Sequence, residues 1–289
     1  MHNLYWFGSG RRETVWALTV TGCFCLAMFT VIAILAYVVL RGVPGMSWEF
    51  LTAMPKNRAI EGGILPALLG SLWLLVGTCV FTLPLGIMAA IYLTEYSRKG
   101  PGVGLINLAL VNLAGVPSIV YGLFGLAFFV LLLRFGPSLL SACLTLSLLS
   151  LPVVVTAARE ALLAVPQTHR EAALALGAGK WQTIHTVVLP QAKRGILTGT
   201  VLAMGRAVGE TAPILATGVA FVLPRLPEGP MSRFMALPYH LYVSATQIPQ
   251  MPKERVWATV LALLFLAVLF NASAFVVRRG IGRGEARNG

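Results

Sequence analysis

Long apolar stretches separated by short polar ones dominate this chain. Mostly apolar windows run over about 14–40, 64–93, 103–133, 137–157, 195–222 and 256–277. Each is close to or above the ~20 residues that an α-helix needs to cross a hydrocarbon core of about 30 Å. The pattern predicts an all-α integral membrane protein with six transmembrane helices spanning 14–277, flanked by tails of 1–13 and 278–289. Connections fall at 41–63, 94–102, a tight turn at Gly136-Pro137, 158–194 and 223–255. An even number of spans puts both termini on one side. Internal prolines such as Pro66, Pro84, Pro117, Pro152 and Pro213 are tolerated in lipid-buried helices, where neighbours satisfy the freed backbone groups.

Composition agrees with this reading. Of 289 residues, 57% are hydrophobic and 11% charged, with mean hydropathy +0.81, too apolar for a soluble domain to keep a wettable surface. The first apolar run, Val15 to Leu40, exceeds the roughly 7–15 residues of a signal-peptide core and lacks a small-residue cleavage site, so it is expected to stay as an anchor. The four cysteines, Cys23, Cys25, Cys79 and Cys143, all sit in apolar runs and read as small core residues rather than metal ligands.

The net charge of +12 points to membrane orientation, not to nucleic acid. Grouping the termini with the 94–102 turn and the 158–194 loop collects thirteen basic residues, against eight on the other side, with Arg206 left inside a span. The positive-inside rule then places both termini and those two connections in the cytoplasm, and 41–63 and 223–255 in the periplasm. A membrane enzyme would need a catalytic constellation; the chain has no Asp and no metal-spaced set of His, Cys and Glu.

The 158–194 loop carries the strongest local signal. Thr168 precedes Glu171 by three residues, the spacing of a capping box. Ala172 to Leu176 continue with good helix formers, and Gly177 supplies a stop. Trp181, Ile184, Val188 and Leu189 fit one face of a second segment, which Pro190 is expected to interrupt. Two short helices with small residues at their junction predict a docking knob, where a plain amphipathic connector would account only for the second helix. Gly179-Lys180 is a false phosphate-loop ending: Trp181 stands where Ser or Thr is needed, and Leu174 where a glycine is.

Glu171-Ala172-Ala173, Gly177 and Val188-Leu189-Pro190 together resemble, in type and spacing, the EAA loop of ABC importer permeases. Four further motifs resemble the PstA branch of phosphate-importer permeases: Glu61-Gly62-Gly63, Pro84-Leu85-Gly86-Ile87 with Ala90 to Tyr96, Pro117-Ser118-Ile119-Val120, and Gly209-Glu210-Thr211-Ala212-Pro213. This resemblance runs from about Gly42 to the last span. It implies a type I ABC importer permease fold and import of inorganic phosphate. It also implies a set of partners: a PstC-like permease, two PstB-like ATPase subunits that bind ATP and Mg, and a PstS-like periplasmic binding protein. The chain itself is expected to hold no cofactor and no metal, and its EAA loop to dock on the ATPase. A permease for sulfate, molybdate or phosphonate, or the PstC-like sister subunit, is the alternative.

Independent of any resemblance, Arg206 and Glu210 are charges four residues apart in the fifth window, so they share a helix face. With a helix starting near Gly195, Arg206 would lie about 16 Å deep, near the midplane, where charges usually face a water-filled path or a bundle interior. A guanidinium suits phosphate oxygens, a carboxylate can accept the proton of hydrogen phosphate, and Thr211 adjoins them. These three are the candidate translocation residues; a structural salt bridge is the competing reading. Gly205 and Gly209 read as a packing step, and Asn107, Asn112, Ser118 and Tyr121 as interhelical hydrogen-bonding groups. The segment Met231 to Gln247, with Leu237, Leu241 and Ala245 at helical spacing, reads as an amphipathic periplasmic helix.

Overall fold

A computed structural model describes residues 10–97 and 100–285, with side chains over 14–97 and 100–273. Twelve α-helices follow in order: α1 (Gly10–Gly42), α2 (Trp48–Thr52), α3 (Leu65–Ile91), α4 (Pro101–Gly115), α5 (Ser118–Gly125), α6 (Leu139–Leu163), α7 (Gln167–Ala175), α8 (Lys180–Thr183), α9 (Leu189–Val208), α10 (Ala212–Leu215), α11 (Leu237–Thr246) and α12 (Lys253–Glu285). Wider π-helical turns extend three of them: Tyr92–Tyr96 continues α3, Leu126–Leu132 continues α5, and Ile184–Val188 joins α8 to α9. A two-stranded antiparallel hairpin, β1 (Pro55–Lys56) with β2 (Glu61–Gly62), lies between α2 and α3. The expected tail 1–13 is described only from Gly10, Arg98 and Lys99 lie outside the described residues, and the tail 278–289 is described through Glu285.

Four segments are long and apolar enough to cross a membrane: Thr14–Gly45, Leu65–Tyr96, Leu139–Leu163 and Lys253–Ser273. A fifth arises if Pro101–Gly115 and Ser118–Leu132, bent by 103°, form one broken span. The 20-residue α9 is less apolar because it carries Lys193, Arg194 and Arg206. Every one of the six expected windows therefore meets a helix, but with different limits. The 103–133 window bends because Pro117 forces Val116 into an extended conformation (φ −70°, ψ 132°) and offers no amide hydrogen. The 137–157 window continues to Leu163, so Arg159 and Glu160 belong to a helix and the following connection is shorter. The 195–222 window is displaced: its helix starts at Leu189 and stops at Val208, where Gly209 breaks it.

Small residues let the central helices close on one another. On α3, Gly86 faces Val154 of α6 at 2.7 Å from where a Cβ would be, and Gly77 faces Cys143. On α9, Gly195 and Gly199 face Ala161 and Ala157 of α6. Such close approach, with hydroxyl-to-carbonyl bonds as glue, is how apolar helices associate in lipid: the Ser147 hydroxyl of α6 reaches the Thr78 carbonyl of α3 at 3.2 Å, beside its bond to the Cys143 carbonyl of its own helix at 2.7 Å. The core around α3, α6 and α9 includes Leu75, Leu146, Val154, Met204 and Leu237. By contrast α1 runs along the outside, meeting α12 through an edge-on contact of Tyr37 with Trp257 at 5.2 Å. Cys23 and Cys25 are exposed on its surface, correcting the expectation that they are core residues; only Cys143 is buried. An outward apolar face needs no protein partner when the solvent is hydrocarbon.

Candidate functional site

The Arg206–Glu210 pair forms at the break in the fifth expected span, not within a continuous helix. Arg206 lies in the last turn of α9, and Gly209, Glu210 and Thr211 carry the chain to the short α10, where Pro213 occupies the first turn. Arg206 Nε still meets Glu210 Oε1 at 3.2 Å, so the four-residue spacing survives the break. The Arg206 side chain is 59% exposed and Glu210 16%. Starting α9 at Leu189 also moves Arg206 about 26 Å along the helix, instead of the 16 Å expected from a start at Gly195. Thr211 is half-buried and precedes α10 without a side-chain cap.

A second break faces this one. The kink at Pro117 points α5 at α10: a Cβ on Gly122 would stand 2.8 Å from the Ala212 carbonyl and 3.2 Å from Pro213 Cα. Tyr121, in the same turn, donates its hydroxyl to the Leu113 carbonyl at 2.8 Å and so staples the kink, with Arg206 within electrostatic reach. Asn271 of α12 covers Gly205, consistent with a packing role for that glycine. Asn107 accepts from Arg159 at 2.8 Å and ties α4 to α6. The broken backbone, its helix ends and the exposed guanidinium thus gather in one place. Irregular backbone at membrane depth is tolerated where it lines a cavity or a protein interface.

The EAA-like residues separate into a knob and a base. Glu171 and Ala172 are exposed on α7 and Ala173 is half-buried; Leu176 behind them is 90% exposed. Gly177 turns the chain with φ +85°, a conformation that costs other residues backbone strain. Leu189 and Pro190 begin α9 at the base, where Leu189 packs on the cluster of Ala90, Leu162, Ile184 and Val188. Two local expectations are corrected. The helix starts at Gln167 with Pro166 at the cap and no side-chain cap bond, so Thr168 lies inside the first turn and the capping box does not form. Pro190 does not interrupt the second helix: the π turn over Ile184–Val188 absorbs it and α9 runs on. Ile184 and Val188 are buried as expected, whereas Trp181 is exposed.

Sequence reasoning passed over Arg170 and Glu95. Arg170 sends Nη2 to Glu95 Oε1 (3.1 Å) and to the Leu162 carbonyl (2.7 Å), and Nη1 to the Val165 carbonyl (2.5 Å). The two side chains are 12% and 11% exposed. Only the position of Arg170 beside the EAA triplet signals it in sequence; its partner lies 75 residues earlier.

At α11, the helix begins at Leu237 rather than Met231, after Phe234 has bridged to Val219. Its buried face is Leu237, His240, Val243 and Ser244, and the expected Ala245 is exposed. The His240 ring stacks on Phe221 at 5.3 Å, and its Nδ1 has no partner. Burial pushes its pKa down to about 4, assisted by the charge of Arg255.

Residues 82–284 match the family model for the binding-protein-dependent transport system inner membrane component. The chain is 37% identical over 259 residues to the phosphate transport system permease protein PstA of Mycobacterium leprae, covering 86% of this chain and 82% of that one. It is 35% identical to PstA of Yersinia pestis, covering 86% and 84%. The probable ABC transporter permease YqgI of Bacillus subtilis is 37% identical over 71% of both chains. Among solved structures, a bacterial ABC transporter that imports alginate superposes with TM-score 0.62 at 13% identity, covering 94% of this chain and 96% of that one. The inward-facing MetNI methionine ABC transporter gives 0.58 at 18% identity, covering 76% and 94%. These likenesses give the fold as that of type I ABC importer permeases. With a family match over most of its length and relatives above one-third identity, the chain belongs to the inner-membrane permease components of binding-protein-dependent ABC transport systems, a transporter subunit and not an enzyme.

Proposed function

We propose that this chain is the PstA-like subunit of an ATP-driven importer that moves inorganic phosphate from periplasm to cytoplasm. The observation that carries the reading is the likeness, over 86–88% of the chain, to permeases named for phosphate transport. In this reading the exposed α7 knob, with Leu176 and Gly177, docks on one of two PstB-like ATPase subunits that bind ATP and Mg. The open side of the α9–α10 break faces a PstC-like permease, a PstS-like protein delivers phosphate, and both termini are cytoplasmic.

Arg206, Glu210 and Thr211 border the path. Glu210 engages only the inner nitrogen of the guanidinium, so the outer edge of the planar fork is turned to a passing anion. A carboxylate beside that edge repels a fully ionised oxyanion but accepts a hydrogen bond from hydrogen phosphate, which retains a proton where sulfate does not.

The test is uptake competition in cells that carry this chain, compared with an otherwise identical strain lacking it. Radiolabelled phosphate uptake is expected to resist excess sulfate or molybdate and to be lost when the chain is deleted. Sulfate or molybdate uptake lost on deletion, with phosphate uptake intact, would overturn the assignment.

A further inference from the structure

The α7 helix buries none of its own residues, so hydrophobic packing alone gives it little hold on the membrane helices. A cavity of about 580 Å³, lined by Thr94, Glu95, Leu163, Gln167, Arg170 and Lys180, lies behind it. A force applied to the exposed face of α7 therefore needs another route into the bundle. The hydrogen bond between His169 and Gln191 (2.7 Å) ties α7 to α9, but it is exposed. The largely buried tie is Arg170.

We propose that Arg170 is a positioning residue that locks α7 to the cytoplasmic ends of α3 and α6, delivering motion of the docking helix to that pair of spans. The Leu162 and Val165 carbonyls belong to the last turn of α6 and the turn that follows it; carbonyls at a helix end carry partial negative charge, and that of Leu162 also accepts the Val165 amide at 3.3 Å. One guanidinium satisfies both and still reaches the Glu95 carboxylate in the π turn that ends α3. The α3 and α6 helices close tightly on each other through Gly77 and Gly86, so they move together. A lysine has a single ammonium and no planar fork, so it cannot hold three acceptors in these directions at once. Arg170 reaches the π turn Tyr92–Tyr96 through Glu95, and α7 itself packs against the π turn Ile184–Val188. Such turns mark places where a helix changes register.

The inference rests on the reading of α7 as the ATPase-docking element. It is tested in the purified complex, with its ATPase and binding protein, in lipid vesicles, by measuring ATP hydrolysis and radiolabelled phosphate uptake in the same preparation. Arg170→Ala is expected to keep ATP hydrolysis while phosphate moved per ATP falls about tenfold, a typical size for coupling between sites. Arg170→Lys and Glu95→Gln should fall between this variant and the parent. An unchanged ratio in all three variants overturns the strut. So does a proportional loss of both activities, or failure of even the two conservative variants to assemble, which would make the pair a fold brace. A parent complex that hydrolyses ATP but moves no phosphate contradicts the proposed function instead.

Discussion

At the scale of single residues, the charge pair is where architecture and transport give opposite answers. Glu210 is mostly buried beside Arg206, so removing the arginine alone leaves a carboxylate short of its partner. If the pair is only a brace, Arg206→Gln and Glu210→Gln should each weaken assembly, and the double change should restore assembly and uptake together. If the pair borders the phosphate path, the double variant should assemble, measured as detergent-resistant complex yield, but phosphate uptake should stay lost. Gly122 supplies an independent check. A methyl there collides with the Ala212 carbonyl, so Gly122→Ala should displace the α9–α10 break, costing about 1–3 kcal/mol in stability by overpacking and reducing uptake. The spacing of Arg206 and Glu210 made their pairing legible in sequence. The 59% exposure of Arg206 was not, because it follows from α9 ending at Val208, and the apolar residues that resume after Thr211 carry the window on to 222.

At the scale of elements, the docking knob follows from one backbone conformation. Gly177 has φ +85° and open space around its Cβ position, so substitution costs conformational strain and no steric clash. Gly177→Val should weaken ATPase retention, by about 1–3 kcal/mol, while the chain still inserts. Gly177→Asn should be better tolerated, because asparagine visits the left-handed region; pull-down of the ATPase with the permease reads both. Helix α11 gives a pH prediction. His240 is held neutral, its pKa near 4 against 6.5 for an ordinary histidine. Between those values the unfolded chain takes up a proton that the folded chain refuses. Stability contributed by this site is therefore full above about pH 6.5 and is lost as pH falls toward 4, by on the order of 3 kcal/mol in all. Thermal unfolding of the solubilised complex should show a lower midpoint near pH 5 than near pH 7, and His240→Gln should remove part of that difference. The helical content of this region was readable from periodicity, but its buried face was not. Leu237, His240 and Val243 turn inward because Ser71 of α3 accepts the Leu237 amide at 2.8 Å, a partner 166 residues away that no local window contains.

At the scale of the molecule, six apolar windows sufficed to announce a membrane protein, and the EAA-like spacing to announce its family, since both depend on local runs of residue type. What the windows did not give was where spans break: helices end at Pro117 and Gly209 inside windows that stay mostly apolar on both sides. The basic-residue asymmetry predicts an orientation that thiol labelling can test. In a cysteine-free background of intact cells, a cysteine at Glu228 should react with a membrane-impermeant reagent and one at Lys180 should not; labelling at Lys180 from outside would reverse the topology. The central claim is that this subunit couples ATP hydrolysis to phosphate import. The direct measurement is radiolabelled phosphate accumulation in vesicles reconstituted with the complete complex, with ATP on the cytoplasmic side and binding protein on the other. Accumulation that requires ATP, the binding protein and this chain together is the expected result. ATP hydrolysis stimulated by the binding protein with no phosphate accumulated, or accumulation that persists without this chain, would contradict it.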